Sequence, residues 1–86
     1  MGEGVPLSSG LSARELQVLS LIADGFTSKE IAAKLYLSES TVKDHRKKII
    51  KKLKAANIVE AVYLATLEIR AWRLNAARTP GAVSPG

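Results

Sequence analysis

Residues Thr27 to Leu53 read TSKEIAAKLYLSESTVKDHRKKIIKKL, and this stretch decides the fold. Thr27 with Glu30 is a capping pair, a hydroxyl that accepts the amide three residues on and a carboxylate that reaches back to the cap's own amide. A helix begins there, and its apolar positions Ile31, Ala32 and Leu35 share one face. Tyr36 and Leu37 fall outside that period, and Ser38 is a good N-cap, so a second helix follows after only a tight turn. From Glu39 to about Leu53, a wheel at about 100° per residue places Val42, Ile49 and Leu53 on one stripe, with His45 and Ile50 at its edges. The opposite stripe carries Ser40, Lys43, Asp44, Lys47, Lys48 and Lys51. The second helix of the pair is therefore apolar on one side and basic on the other.

Working outward, Ser12 and Glu15 form another capping box, and apolar residues recur at helical spacing from Leu11 through Leu16, Leu19 and Ile22. This predicts a first helix from about Ala13 to Asp24, closed by Gly25 in the position where a left-handed cap costs least. Beyond Leu53, Asn57 and Glu60 make a third capping pair, and the helix they start is expected to run through Leu64, Leu67 and Ile69 to Trp72 or further. That last helix is apolar on two sides. Ile58, Ala61, Val62, Ala65, Ile69 and Trp72 form one stripe, and Leu64, Leu67, Ala71 and Leu74 form another. One small domain can hardly cover both, and the surplus points to a partner. No segment alternates with period two. The expected class is all-α, a compact four-helix domain over 11–78, with Gly-, Pro- and Ser-rich tails at 1–10 and 79–86 expected to be disordered.

Composition narrows what such a domain does. A chain of 86 residues holds one core and leaves little room for an elaborate catalytic cavity. Without cysteine there is neither a disulfide nor a thiolate zinc site, and the lone histidine, His45, lacks companion ligands, so no metal or cofactor is expected. No nucleophile and base, phosphate loop or carboxylate pair stands at convincing spacing, and the expectation is that the chain is not an enzyme. The apolar run Ile58 to Leu67 is interrupted by Glu60 and far shorter than the roughly 20 residues that span a bilayer. Met1 to Gly10 lacks the basic flank and apolar stretch of a secretory signal, so a cytoplasmic location is expected.

The net charge is +5, but its distribution matters more than its size. Lys43, Arg46, Lys47, Lys48, Lys51, Lys52 and Lys54 stand against Asp44 alone, seven cations less one anion, or +6 in a single short segment. The rest of the chain sums to −1, the difference from +5. Charge gathered on the outer face of one helix is the footprint of a polyanion partner. Two helices joined by a tight turn, the second basic outside, describe a helix-turn-helix whose second helix enters the major groove of double-stranded DNA. The first helix of the pair then crosses the backbone, where Thr27, Ser28 and Lys29 suit a phosphate. Ser38, Ser40 and Thr41 repeat that arrangement at the start of the reading helix, and Lys48 and Lys51 add charge along it. His45, at the edge of the inner stripe, is read as structural, bonded to neighbouring backbone or to a phosphate. Trp72, Tyr36 and Tyr63 are too scattered to stack on bases and are read as core or interface residues.

The residues also spell a known pattern. Leu11-Ser12-Ala13-Arg14-Glu15-Leu16-Gln17-Val18-Leu19, then Gly25-Phe26-Thr27-Ser28-Lys29-Glu30-Ile31-Ala32, then Leu37-Ser38-Glu39-Ser40-Thr41-Val42-Lys43-Asp44-His45, then Lys52-Leu53, closely resemble the LuxR-type (GerE-type) signature of bacterial transcriptional regulators. The likeness covers about residues 11 to 70, with landmarks in order across four segments. It implies a four-helix domain whose third helix reads the major groove and whose fourth often pairs two copies on DNA, here through Leu64, Leu67, Ala71 and Leu74. It also implies base contacts at Lys43, Asp44 and Lys47, three positions on the outer stripe already found. Either lysine could donate to guanine O6 or N7, and Asp44 could accept from cytosine N4 or hold Lys47 or Lys48 as a helical neighbour.

Departures from the pattern are Gln17 for an acid, Lys54 for a glycine, Ile58 for an arginine, and lysines at 47 and 48 for small polar residues. A left-handed residue without glycine costs on the order of 1 kcal/mol, so the third helix is expected to run on past Lys54 or end differently. The rival to DNA binding is a protein-interaction module that keeps the fold and uses the second apolar stripe, with RNA polymerase a candidate partner. A nuclease or nucleotide-handling enzyme lacks its ligands here, and a sigma-factor reading lacks the motif order.

Overall fold

The structure, a computed structural model, describes residues 10–78, excepting the side chains of 77 and 78. The expectation of tails at 1–10 and 79–86 therefore falls, Gly10 apart, outside the described residues. These fold as helices only: α1 (Ala13–Ala23), α2 (Ser28–Leu35), α3 (Glu39–Leu53), α4 (Ile58–Leu64) and α5 (Thr66–Arg78). None is long and apolar enough to cross a membrane.

Local chemistry sets where each helix starts. Ser12 Oγ accepts the Glu15 amide at 3.1 Å while Glu15 Oε1 accepts the Ser12 amide at 2.9 Å. Thr27 and Glu30 repeat this at 3.1 and 2.8 Å. Asn57 caps α4 by accepting the Glu60 amide, but Glu60 turns its carboxylate to the amide of Ala56, one residue further back than a capping box requires. The end of α1 is equally local. Gly25 has φ +96°, its amide donates to Ile22, and the amide of Phe26 reaches back to Leu21, the paired bonds of a glycine-closed helix.

Two helix ends run against the sequence expectation. Lys54 takes the left-handed conformation at φ 54° and stops α3 at Leu53, so the helix does not run on. The amide of Ala55, donating to Ile50 at 3.0 Å, closes the turn and offsets the roughly 1 kcal/mol that a Cβ costs there. Tyr36, also left-handed at φ 59°, ends α2 in the same way, with the Leu37 amide donating to Ala32. The helix expected from 58 to beyond Trp72 is divided at Ala65, which has φ −98° and ψ 15°. Thr66 Oγ1 donates to the carbonyls of Tyr63 and Val62, at 2.8 and 3.1 Å, and so competes with the backbone where the axis breaks.

Every helix gives its inner face to one core of Val18, Leu19, Ile31, Ala32, Val42, Ile49, Ala61, Ala65 and Ile69. Leu53, Ile58 and Val62 pack against its edge. Because α3 lies against α1, α2 and α4, its apolar stripe is fully used and its orientation is fixed from three sides.

Two polar ties lock the periphery. Arg73 of α5 donates to Ser20 Oγ, to the Ser20 carbonyl and to Asp24 Oδ1, all within 2.9 Å, and so fastens α5 to the end of α1. Lys52 of α3 donates to Glu15 Oε1 at 2.7 Å and to the Gly10 carbonyl at 3.1 Å.

Candidate nucleic-acid interface

With its inner stripe in the core, α3 presents the other face to solvent. Ser40, Lys43, Asp44, Lys47, Lys48 and Lys51 are all exposed, as the wheel predicts. Val42 and Ile49 on the opposite face are completely buried. The three residues assigned to base edges, Lys43, Asp44 and Lys47, thus lie together on the outer side of α3.

The charges on this face are only partly paired. Lys43 Nζ is 3.5 Å from Glu39 Oε2, one turn earlier on the same exposed surface. Among the described residues no ion pair joins Asp44 to Lys47 or Lys48, so its carboxylate is not held as a helical neighbour. Lys52, counted from the sequence among the basic residues, is turned to Glu15 instead. Two of the seven cations between 43 and 54 are therefore matched by carboxylates outside that segment.

At the start of α3, Ser38 Oγ accepts the Thr41 amide at 3.1 Å, donates to Thr41 Oγ1 at 2.8 Å and lies 3.2 Å from Ser40 Oγ. The hydroxyls form one exposed cluster at the turn. At the start of α2, Thr27 and Lys29 are exposed. Ser28 is not. It is buried, and its Oγ accepts from Arg46 Nη1 of α3 at 2.7 Å, so its hydroxyl serves the contact between the two helices.

His45 is part-buried at the edge of the inner stripe, and its Nδ1, shielded from solvent, has no hydrogen-bond partner among the described residues. The backbone bond expected for it is not made by that nitrogen. The second apolar stripe, on α4 and α5, is open. Leu64, Leu67 and Leu74 are exposed, Leu67 by 69%, with Ala71 part-buried between them. Tyr63 and Val59 extend that surface, and Tyr36 is 95% exposed at the turn, so neither tyrosine is a core residue.

Comparison with known proteins settles the family. Residues 9–65 match the family model described as bacterial regulatory proteins, luxR family. The chain belongs to this luxR family. A luxR-family helix-turn-helix is a DNA-binding module of transcription regulators, and α2 and α3 are its two members here. The response regulator protein TmoT of Ectopseudomonas mendocina is 46% identical over 52 residues, 60% of this chain and 24% of that protein. A nitrate/nitrite response regulator protein homolog of Haemophilus influenzae is 45% identical over 62 residues, 72% of this chain and 29% of the relative. The HTH-type transcriptional regulator AlkS of Alcanivorax borkumensis is 42% identical over 59 residues, 69% of this chain and 7% of its own length. The luxR-family chain described here thus spans less than a third of each of these three relatives.

Proposed function

We propose that the chain is the sequence-reading output domain of a transcription regulator, with α3 in the major groove of double-stranded DNA. Lys43 and Lys47 donate to guanine, and Asp44 accepts from cytosine N4. Thr27, Ser28, Lys29, Ser38, Ser40, Thr41, Lys48 and Lys51 hold the flanking phosphates, Ser28 through its amide and the O–H that its bond from Arg46 leaves free. The observation that carries this reading is the division of α3 into a face packed on the core and a face of exposed lysines, hydroxyls and one carboxylate.

The setting is cytoplasmic, and RNA polymerase is a candidate partner of the DNA-bound protein. Binding is expected to be largely electrostatic. Each neutralised phosphate contributes about −0.9 to the slope of log affinity against log salt, so Lys29, Lys48 and Lys51 alone give about −3. A titration of labelled duplex at several salt concentrations measures this. A flat response would instead favour a protein-binding module built on the open apolar stripe.

Two copies are proposed to pair on DNA through Leu64, Leu67, Ala71 and Leu74, on half-sites about 10 base pairs apart. The support is the exposure of Leu64 on α4 and of Leu67 and Leu74 on α5. Leu67→Asp is expected to abolish cooperative binding to a duplex with two half-sites while sparing a single half-site. Unchanged cooperativity in the variant would place the pairing surface elsewhere.

A further inference from the structure

We propose that Arg46 contacts the DNA backbone, its guanidinium taking a phosphodiester at the junction of α2 and α3. The proposal rests on the DNA-binding reading and adds to it a residue that lies off the outer stripe. Arg46 stands between Val42 and Ile49 on the side of α3 that turns toward α2, and it is part-buried. Its Nη1 donates to Ser28 Oγ at 2.7 Å, joining two helices across 18 positions of sequence.

That pairing leaves the guanidinium chemically incomplete. A guanidinium offers five donors in a planar fork suited to two oxygens of one anion, and here a neutral hydroxyl accepts from one of its nitrogens. The ion pairs among the described residues involve Lys43, Lys52 and Arg73, not Arg46. Arg73 makes the instructive contrast. It too bridges two helices through a serine hydroxyl, yet it also has a carbonyl and the Asp24 carboxylate.

Holding a partly desolvated cation without a counter-ion costs free energy, and an anion brought to it recovers that cost. With α3 in the groove and α2 across the backbone, the anion that arrives at this junction is a phosphate. Ser28 is then a positioning residue: by engaging Nη1 it fixes the plane of the fork before DNA arrives.

The test is the salt dependence of binding for Arg46→Met, Arg46→Lys and Ser28→Ala on an operator chosen by selection and on a scrambled duplex. Arg46→Met is expected to weaken both duplexes by the same factor, about tenfold, and to make the log-log slope shallower by about 0.9, one phosphate. Arg46→Lys restores the slope without restoring all the affinity. Ser28→Ala keeps the slope and loses less affinity. Thermal melting of each variant reports folding separately. If Arg46→Met kept the wild-type slope, whatever its melting temperature, Arg46 would be a tether between helices and the proposal would fall. A flat slope already in the wild type would overturn the DNA-binding reading and this contact together.

Discussion

Lys52→Met is expected to destabilise the domain by about 2–3 kcal/mol at neutral pH. Breaking one side of a buried ion pair costs about 3–5 kcal/mol, and solvent at the lysine screens part of it here. The Lys52 side chain is 39% exposed and that of Glu15 only 5%, so the substitution leaves a largely buried carboxylate without its counter-ion. Burial pushes the Glu15 carboxyl up, but the Lys52 hydrogen bond, the Ser12 amide, the Lys52 charge and the Ser12 hydroxyl together outweigh it and hold it below the ordinary range.

The sign of the pH dependence follows from that direction. A carboxyl held lower in the folded than in the unfolded chain adds stability that is complete above the unfolded value, about 4.3, and is lost as pH falls through the folded value. In Lys52→Met the two contributions from lysine are gone, and the carboxyl moves up from where the wild type holds it. The variant then sheds its penalty as acid protonates Glu15, so the gap from wild type closes between neutral pH and the acid range. Urea unfolding at pH 7 and at pH 4 measures this. Adding Glu15→Gln to Lys52→Met should recover much of the loss. A Lys52→Met protein as stable as wild type at pH 7 would mean that the pair contributes nothing.

The second large effect concerns reading rather than folding. Lys43→Ala and Lys47→Ala are each expected to cost about 1–3 kcal/mol of binding on the selected operator and much less on scrambled duplex. Arg14→Ala removes the same charge from an exposed site on α1 and serves as the control. Its neighbour Glu15 is joined to Lys52, which lies nine residues beyond Lys43 on α3, roughly 13 Å along the helix. The ion pair between Lys43 and Glu39 does not protect the free state against this. An exposed pair one turn apart is worth about 0.3–0.5 kcal/mol, less than a base contact, so DNA can draw the ammonium away. Titrations at one fixed salt concentration decide the matter. Equal, small losses for all three variants on both duplexes would leave a basic surface that reads no sequence.

What the sequence made legible was largely local. Ser12, Thr27, Ser38 and Asn57 announce four helix starts because each cap bonds an amide three residues away, a distance visible in the string. The core stripe of α3 is legible for the same reason, since Val42 and Ile49 recur at the period of the helix. Lys54 misled because its conformation depends on closure by Ala55 and Ile50, not on its own preference alone. The break at Ala65 is not legible because the spacing of Leu64, Leu67 and Ile69 carries on across it, while the Thr66 hydroxyl bonds the preceding turn.

The tertiary pairs were beyond reach altogether. Glu15 looked fully employed as half of a capping box, and nothing in its spacing says that its carboxylate also receives a lysine 37 positions away. Nothing in the spacing of Ser28 and Arg46 says that they bond to each other across 18 positions. The one signal that could have marked Arg46 was its place between Val42 and Ile49, a charge among core positions that needs a reason to be there.

The three-way grip of Arg73 on Ser20 and Asp24 acquires a further meaning if two copies pair along α5. α5 starts beyond the irregular Ala65, and Arg73 ties it to the end of α1. In such a pair the distance between the two reading helices is a ruler whose hinge is the α1–α5 angle. Successive base pairs are about 3.4 Å apart along the axis, so a small rotation at one end of the ruler becomes a whole base pair at the other. The arginine that looks like a mere fastening would then set which operator spacings the dimer can span.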